Sequence, residues 1–195
     1  MRLNTPRVAP VDEADWSDAQ KAAVGSARIG GRTLNIFKTL ANHPALAKRW
    51  MVFANHIMGK STLTLRDREI VILRIGWLCK SGYEWGQHVL IGLECDLSQE
   101  EIEQIKTGAV SSAWADNERA LLNATDELHS DAFISDGTWQ DLSEHYDTEQ
   151  LMDIVFTAGQ YNLVSMALNT LGVQLDEGMT LDDELRSQPS RLGAG

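Results

Sequence analysis

The stretch REIVILRIGWLCKSGYEWGQHVLIGLE, Arg68 to Glu94, decides the fold. Its first half places Ile70, Val71, Ile72, Leu73, Ile75, Trp77 and Leu78 on nearly all sides of one helix. Such a helix has no face left for solvent and must sit at the centre of the domain. Thr64, with Asp67 three residues on, reads as its N-cap and sets the helix at about 65–80. A second helix follows almost at once, from Gly82 to about Glu94. Together they predict a central helix hairpin.

Working outward, helical spacing persists along the chain and no run alternates cleanly between turn signals. Helices are expected over 12–27 (ended by Gly30-Gly31), 34–41, and from Pro44 to about Met58, where Asn42-His43-Pro44 marks the start. Others are expected from Ser98 (with Glu101 as its capping-box partner) to Gly108, over 116–130, over 138–145, and from Thr148 to Leu171 before Gly172. The fold class is all-α. A single domain is expected over 1–175. The polar stretch 176–195 reads as a tail, flexible or serving as an arm between subunits.

Apolar residues make up 43% of the 195, enough for a sizeable core. The formal net charge is -11, spread along the chain. Such a surface repels phosphate backbones and anionic membranes, which argues against nucleic-acid and membrane partners. The most apolar later segment, 151–173, is interrupted by Asp153, Gln160 and Asn162 and makes a poor membrane span. The opening MRLNTPRVAPVDEADW lacks the apolar core of a signal peptide. A soluble, cytoplasmic protein is the expectation. The two cysteines, Cys79 and Cys95, form no CxxC.

Chemistry concentrates at the start of the second hairpin helix. Glu84 and His88 are four residues apart and share a face. Two roles are open to Glu84: proton transfer with His88, or closing a Ser81-x-x-Glu84 capping box. His88 is a base held neutral by the positive helix N-terminus, or a core histidine. Glu69, near the start of the first helix, reaches this site only across the body of a neighbouring helix. Tyr83, Trp85 and Trp77 are candidate pocket walls, with core packing the alternative for Trp85. Arg74 needs a partner on so apolar a helix: Glu69 or Glu84 in a structural pair, or a substrate carboxylate. Glu69, Glu84 and His88 make a two-carboxylate, one-histidine set. Without HExxH or a second histidine at ligand spacing, neither metal nor cofactor is expected.

The run from Arg68 to Gly108 resembles the core of the carboxymuconolactone decarboxylase and alkylhydroperoxidase-D-like superfamily. The resemblance covers Leu34 to Gly108 and, more loosely, Glu118 to Val173. It implies an alkylhydroperoxidase-D-like helical bundle, homo-oligomers (trimers or hexamers, with a dimer also open), no metal, and pockets near subunit interfaces. In the peroxidase branch a CxxC lies between an upstream glutamate and a downstream histidine. Here those positions fall on Glu69, Ser81, Glu84 and His88, with Cys79 out of register, so the thiol chemistry is lost. The branch without CxxC implies a cofactor-free decarboxylase or isomerase of a small carboxylated lactone or enolisable acid, in aromatic compound catabolism. Glu84, His88 and Glu69 would be catalytic, and Tyr83, Trp85 and Arg74 would bind substrate. The alternatives are a non-catalytic oligomeric binding or stress-associated protein and, more weakly, a peroxidase acting through Cys79.

Overall fold

The computed structural model describes residues 1–28 and 31–186, which form ten α-helices and no strand among them. Gly30 of the expected Gly30-Gly31 stop and residues 187–195 of the tail lie outside the described residues. In chain order the helices are α1 (Asp18–Val24), α2 (Asn35–Leu40), α3 (Pro44–Lys60), α4 (Leu65–Leu78), α5 (Gly82–Glu94), α6 (Gln99–Thr107), α7 (Asp116–Asp131), α8 (Asp136–Ser143), α9 (Thr148–Leu171) and α10 (Asp183–Arg186).

The caps follow the sequence closely. Thr64 accepts from the Asp67 amide at the head of α4, and Ser98 and Glu101 close a reciprocal box on α6. His43 caps α3 through its side chain, with Pro44 at the first helical position. Gly172 ends α9 with φ +72°, a left-handed turn that glycine takes without strain.

One expected helix divides. The span 12–27 becomes a 3₁₀ turn (Glu13–Asp15) and then α1. Asp12 and Ser17 each cap a separate start, and the intervening Trp16 is extended and buried, its indole donating to the Val11 carbonyl at 3.2 Å. Two starts so close together cannot belong to one continuous helix.

Helix α4 sits at the centre as expected, packed against α5, α7 and α9. Ile70, Val71, Ile72, Leu73 and Ile75 are fully buried there. The turn into α5 is tight: Lys80 takes φ +53°, and the Ser81 amide donates back to the Gly76 carbonyl at 2.9 Å. The first residues of the tail return to the body. The terminal amine of Met1 donates to the Leu185 carbonyl at 2.9 Å, Lys106 pairs with Asp182 at 2.8 Å, and Leu185 is buried. Among the described residues no helix is long and apolar enough to cross a membrane.

Candidate active site

The hairpin aligns four charged side chains in a row. Arg68 donates to Oε1 of Glu69 through Nε at 3.1 Å and Nη2 at 2.9 Å, and through Nη1 to the Met58 carbonyl at 2.7 Å. The other oxygen of Glu69 meets His88 Nδ1 at 2.6 Å. On the opposite edge of the ring, His88 Nε2 faces Glu84 Oε1 at 3.0 Å. All four residues are buried, Glu69 completely. Glu69 does cross the hairpin: its position on α4 lies beside the second turn of α5, and one side chain spans the gap.

Charge balance decides the protonation of this row. Burial by itself lowers an imidazole pKa, because it penalises the cation. Glu69 and Glu84, one on each ring nitrogen, outweigh that, and His88 is pushed up to about 10. Burial acts to raise Glu69, but His88 and Arg68 overcome it and hold its carboxyl below the usual range. With His88 protonated, Arg68 and His88 balance Glu69 and Glu84. A neutral imidazole would leave one buried negative charge uncompensated. This corrects the expectation of a neutral base. The helix-terminus effect fades within the first turn, and His88 is the seventh residue of α5. Carboxylates at 2.6 and 3.0 Å act at much shorter range.

Glu84 is not a capping-box partner either. Ser81 makes no side-chain cap, and its buried hydroxyl finds no partner among the described residues. The Glu84 carboxylate turns to His88 instead.

His88 and Glu84 form part of the wall of a cavity of about 130 Å³, bounded otherwise by α2, α3, α5 and α9. Its apolar walls include Ile36, Trp50, Met58 and Val164, with the rings of Tyr83 and Tyr161. Tyr161 stands edge-on to His88, ring centres 5.0 Å apart, and its hydroxyl donates to the Met58 sulfur at 2.8 Å. Burial, then the nearby Glu84 and Glu69, raise the Tyr161 pKa and keep it a phenol. Tyr83 contributes only its ring, because its hydroxyl donates to Asp176 at 2.6 Å and accepts from the Ile36 amide at 3.3 Å.

Two expected substrate contacts lie elsewhere. Trp85 is buried against Trp77, ring centres 5.0 Å apart, with the Lys106 ammonium over both rings. It belongs to the central core cluster and does not line the His88 cavity. Arg74 is held by Asp126, at 2.6 and 2.8 Å, and by the carbonyls of Ile105 and Lys106, both at 2.8 Å. Its partner is therefore neither Glu69 nor Glu84, and none of its nitrogens faces the cavity. Sequence reasoning missed Arg68 and Tyr161. The first was legible as one of three arginines on an apolar helix, next to Glu69. The second was the one phenol in the apolar run of α9.

Among the described residues no group of three or more His, Cys, Asp or Glu side chains is placed to hold a metal ion. Glu69 and Glu84 sit on different edges of the His88 ring and do not converge on one point. Cys79 and Cys95 are unpaired thiols. Burial pushes Cys79 up to about 11, and its sulfur contacts Asn162 at 3.0 Å.

Residues 44–127 match the model of the Carboxymuconolactone decarboxylase family. Over this segment, which is less than half of the chain, the protein is similar to that family. The matched segment runs from the start of α3 into α7, so it contains Arg68, Glu69, Glu84 and His88, whereas Tyr161 lies beyond it.

Solved structures with this fold include an uncharacterised peroxidase-related protein with an alkylhydroperoxidase AhpD core from Ralstonia eutropha JMP134. It is 20% identical, with 91% of this chain and 93% of that one covered at a TM-score of 0.76. A peroxidase-related protein from Silicibacter sp. TM1040 is 17% identical over 96% and 94% of the two chains, TM-score 0.70. The debrominase Bmp8 is 15% identical over 87% and 92%, TM-score 0.74. At these identities the likeness establishes the AhpD-like all-α fold alone. Among curated proteins, none matches the chain by sequence.

Proposed function

We propose that the protein is a cofactor-free acid–base enzyme that decarboxylates or isomerises a small carboxylated lactone or enolisable acid, as a lyase of aromatic compound catabolism. One observation carries this reading: His88, clamped between Glu69 at 2.6 Å and Glu84 at 3.0 Å, stands in the wall of a largely apolar cavity. When the bond to the substrate carboxylate breaks, CO₂ leaves and its electron pair is held as an enolate. A proton must then reach carbon. Protonated His88 passes its Nε2 proton across 3.0 Å to the Glu84 carboxylate, which delivers it to carbon. Water later restores the lost proton. Glu69 and Arg68 are positioning residues that fix the ring and its charge. The imidazolium also favours the developing enolate, and the apolar walls strengthen that attraction.

A purely structural hairpin accounts less well for a buried acid–base pair facing open volume. Peroxidase chemistry finds little support, since Cys79 lies outside the cavity wall, is held as a thiol by burial and has no partner sulfur. The proposed homo-oligomer has a surface to use. Phe53 and Phe156 stack edge-to-face while exposed on α3 and α9, and Met152, Leu163 and Met166 extend that stripe. Two copies of net charge -11 meet with least repulsion on such a face.

The test is CO₂ release from carboxymuconolactone and a panel of small enolisable acids. Glu84→Gln keeps the shape of the side chain and should lower turnover by about 10²–10⁴-fold. Turnover by the variant at the wild-type rate overturns the assignment.

A further inference from the structure

Beside the His88 cavity lies a second one, of about 200 Å³, whose walls present no polar surface. Ile36, Trp50 and Val164 line both, so the two voids share part of their wall. The second extends along α9 through Ala167, Leu168 and Leu171. Leu46 and Leu163, both about half exposed at 52% and 48%, stand at its rim. On the shared wall, the indole N–H of Trp50 is buried and finds no acceptor among the described residues.

We propose that this second cavity holds the apolar tail of the substrate, so that the protein acts on amphiphilic acids bearing an aryl group or a short alkyl chain. The inference rests on the acid–base reading of Glu84 and His88 and names the substrate class for that site. A compact lactone fills the first cavity and leaves the second void. Dry apolar cavities of about 150 Å³ accept a benzene ring, so a phenyl group fits the larger volume here. The division of surfaces matches such a ligand. Polar side chains gather where the head sits, only apolar wall surrounds the tail, and one unclaimed donor, the Trp50 indole, stands between them.

The experiment is a binding measurement, independent of turnover, on the full chain with 4-phenylbutyrate and butyrate as probes. Wild-type protein should bind the phenyl acid at least about tenfold more tightly, within the roughly 10–200-fold range that a few apolar carbons can supply. Ala167→Phe fills the second cavity from α9 and should collapse that ratio towards one. Leu163→Trp, which plugs the rim, should do the same if Ala167→Phe folds poorly. Equal wild-type affinity for the two acids overturns the inference, as does a ratio that survives both variants. Glu84→Gln should keep the ratio while losing turnover, which separates failure of the tail site from failure of the acid–base assignment.

Discussion

Arg68 and Arg74 stand six residues apart on α4, and both are buried. Their partners give them different work. Arg74 engages Asp126, whose side chain is 38% exposed, and two backbone carbonyls at the end of α6. Gly108, at φ +77°, leaves it room, since a Cβ there would come within 2.6 Å of Nη2. Nothing in that cluster is poised to pass a proton. Arg68 engages a carboxylate whose second oxygen is already committed to a histidine. The same residue type on the same helix is a clamp in one place and, in the other, anchors the row Glu69, His88 and Glu84. The difference lies in what the partner carboxylate touches next.

That contrast can be broken most sharply by removing each arginine. Arg74→Ala leaves carbonyls and Asp126 without their donor and should cost about 3–5 kcal/mol in denaturant unfolding. Arg68→Met leaves the buried Glu69 and Glu84 facing one cation and should cost at least as much, about 3–5 kcal/mol. If Arg68→Met is near neutral, the charge balance of the row is wrong.

The pH dependence of stability sharpens the same comparison. His88 is raised above its ordinary 6.5 in the folded state, so its contribution is complete below that value and is lost as pH climbs through the folded value. Unfolding free energy should therefore fall through the alkaline range, and His88→Gln should flatten this slope. Arg68→Met removes a neighbouring cation, so it should move the loss to higher pH, whereas Arg74→Ala should leave its position unchanged. Glu69, lowered in the folded state, works in the other direction: its contribution is lost as pH falls below the ordinary carboxylate range.

The smallest effect is expected at Cys79. Cys79→Ser keeps a group able to meet Asn162 and should change stability by no more than about 1 kcal/mol. It should leave turnover of the enolisable-acid panel unaltered. Loss of activity in this variant would return the thiol to the mechanism.

The helices were legible because their signals are local. Thr64, Ser98, Pro44 and Gly172 act within one turn of themselves, and the all-round apolarity of 70–78 has no other stable use than a central helix. The pairing of Glu84 with His88 was legible for the same reason, since four residues on a helix fix a neighbour. Partners across helices were not. Arg74 had Glu69 and Glu84 within sight in sequence and found Asp126, 52 residues away. Trp85 and Tyr83 are near neighbours, yet one turns to the Trp77 core and the other to the cavity.

The sequence by itself determined an all-α chain built on a buried hairpin, with an acid and an imidazole one turn apart at its mouth. Only the tertiary structure decided the charge of that imidazole. Protonation depends on the sum of nearby charges at short range, and Glu69 comes within 2.6 Å of the ring only when α4 lies against α5. The cavity is likewise a property of packing. Its walls come from α2, α3, α5 and α9, which no local spacing brings together.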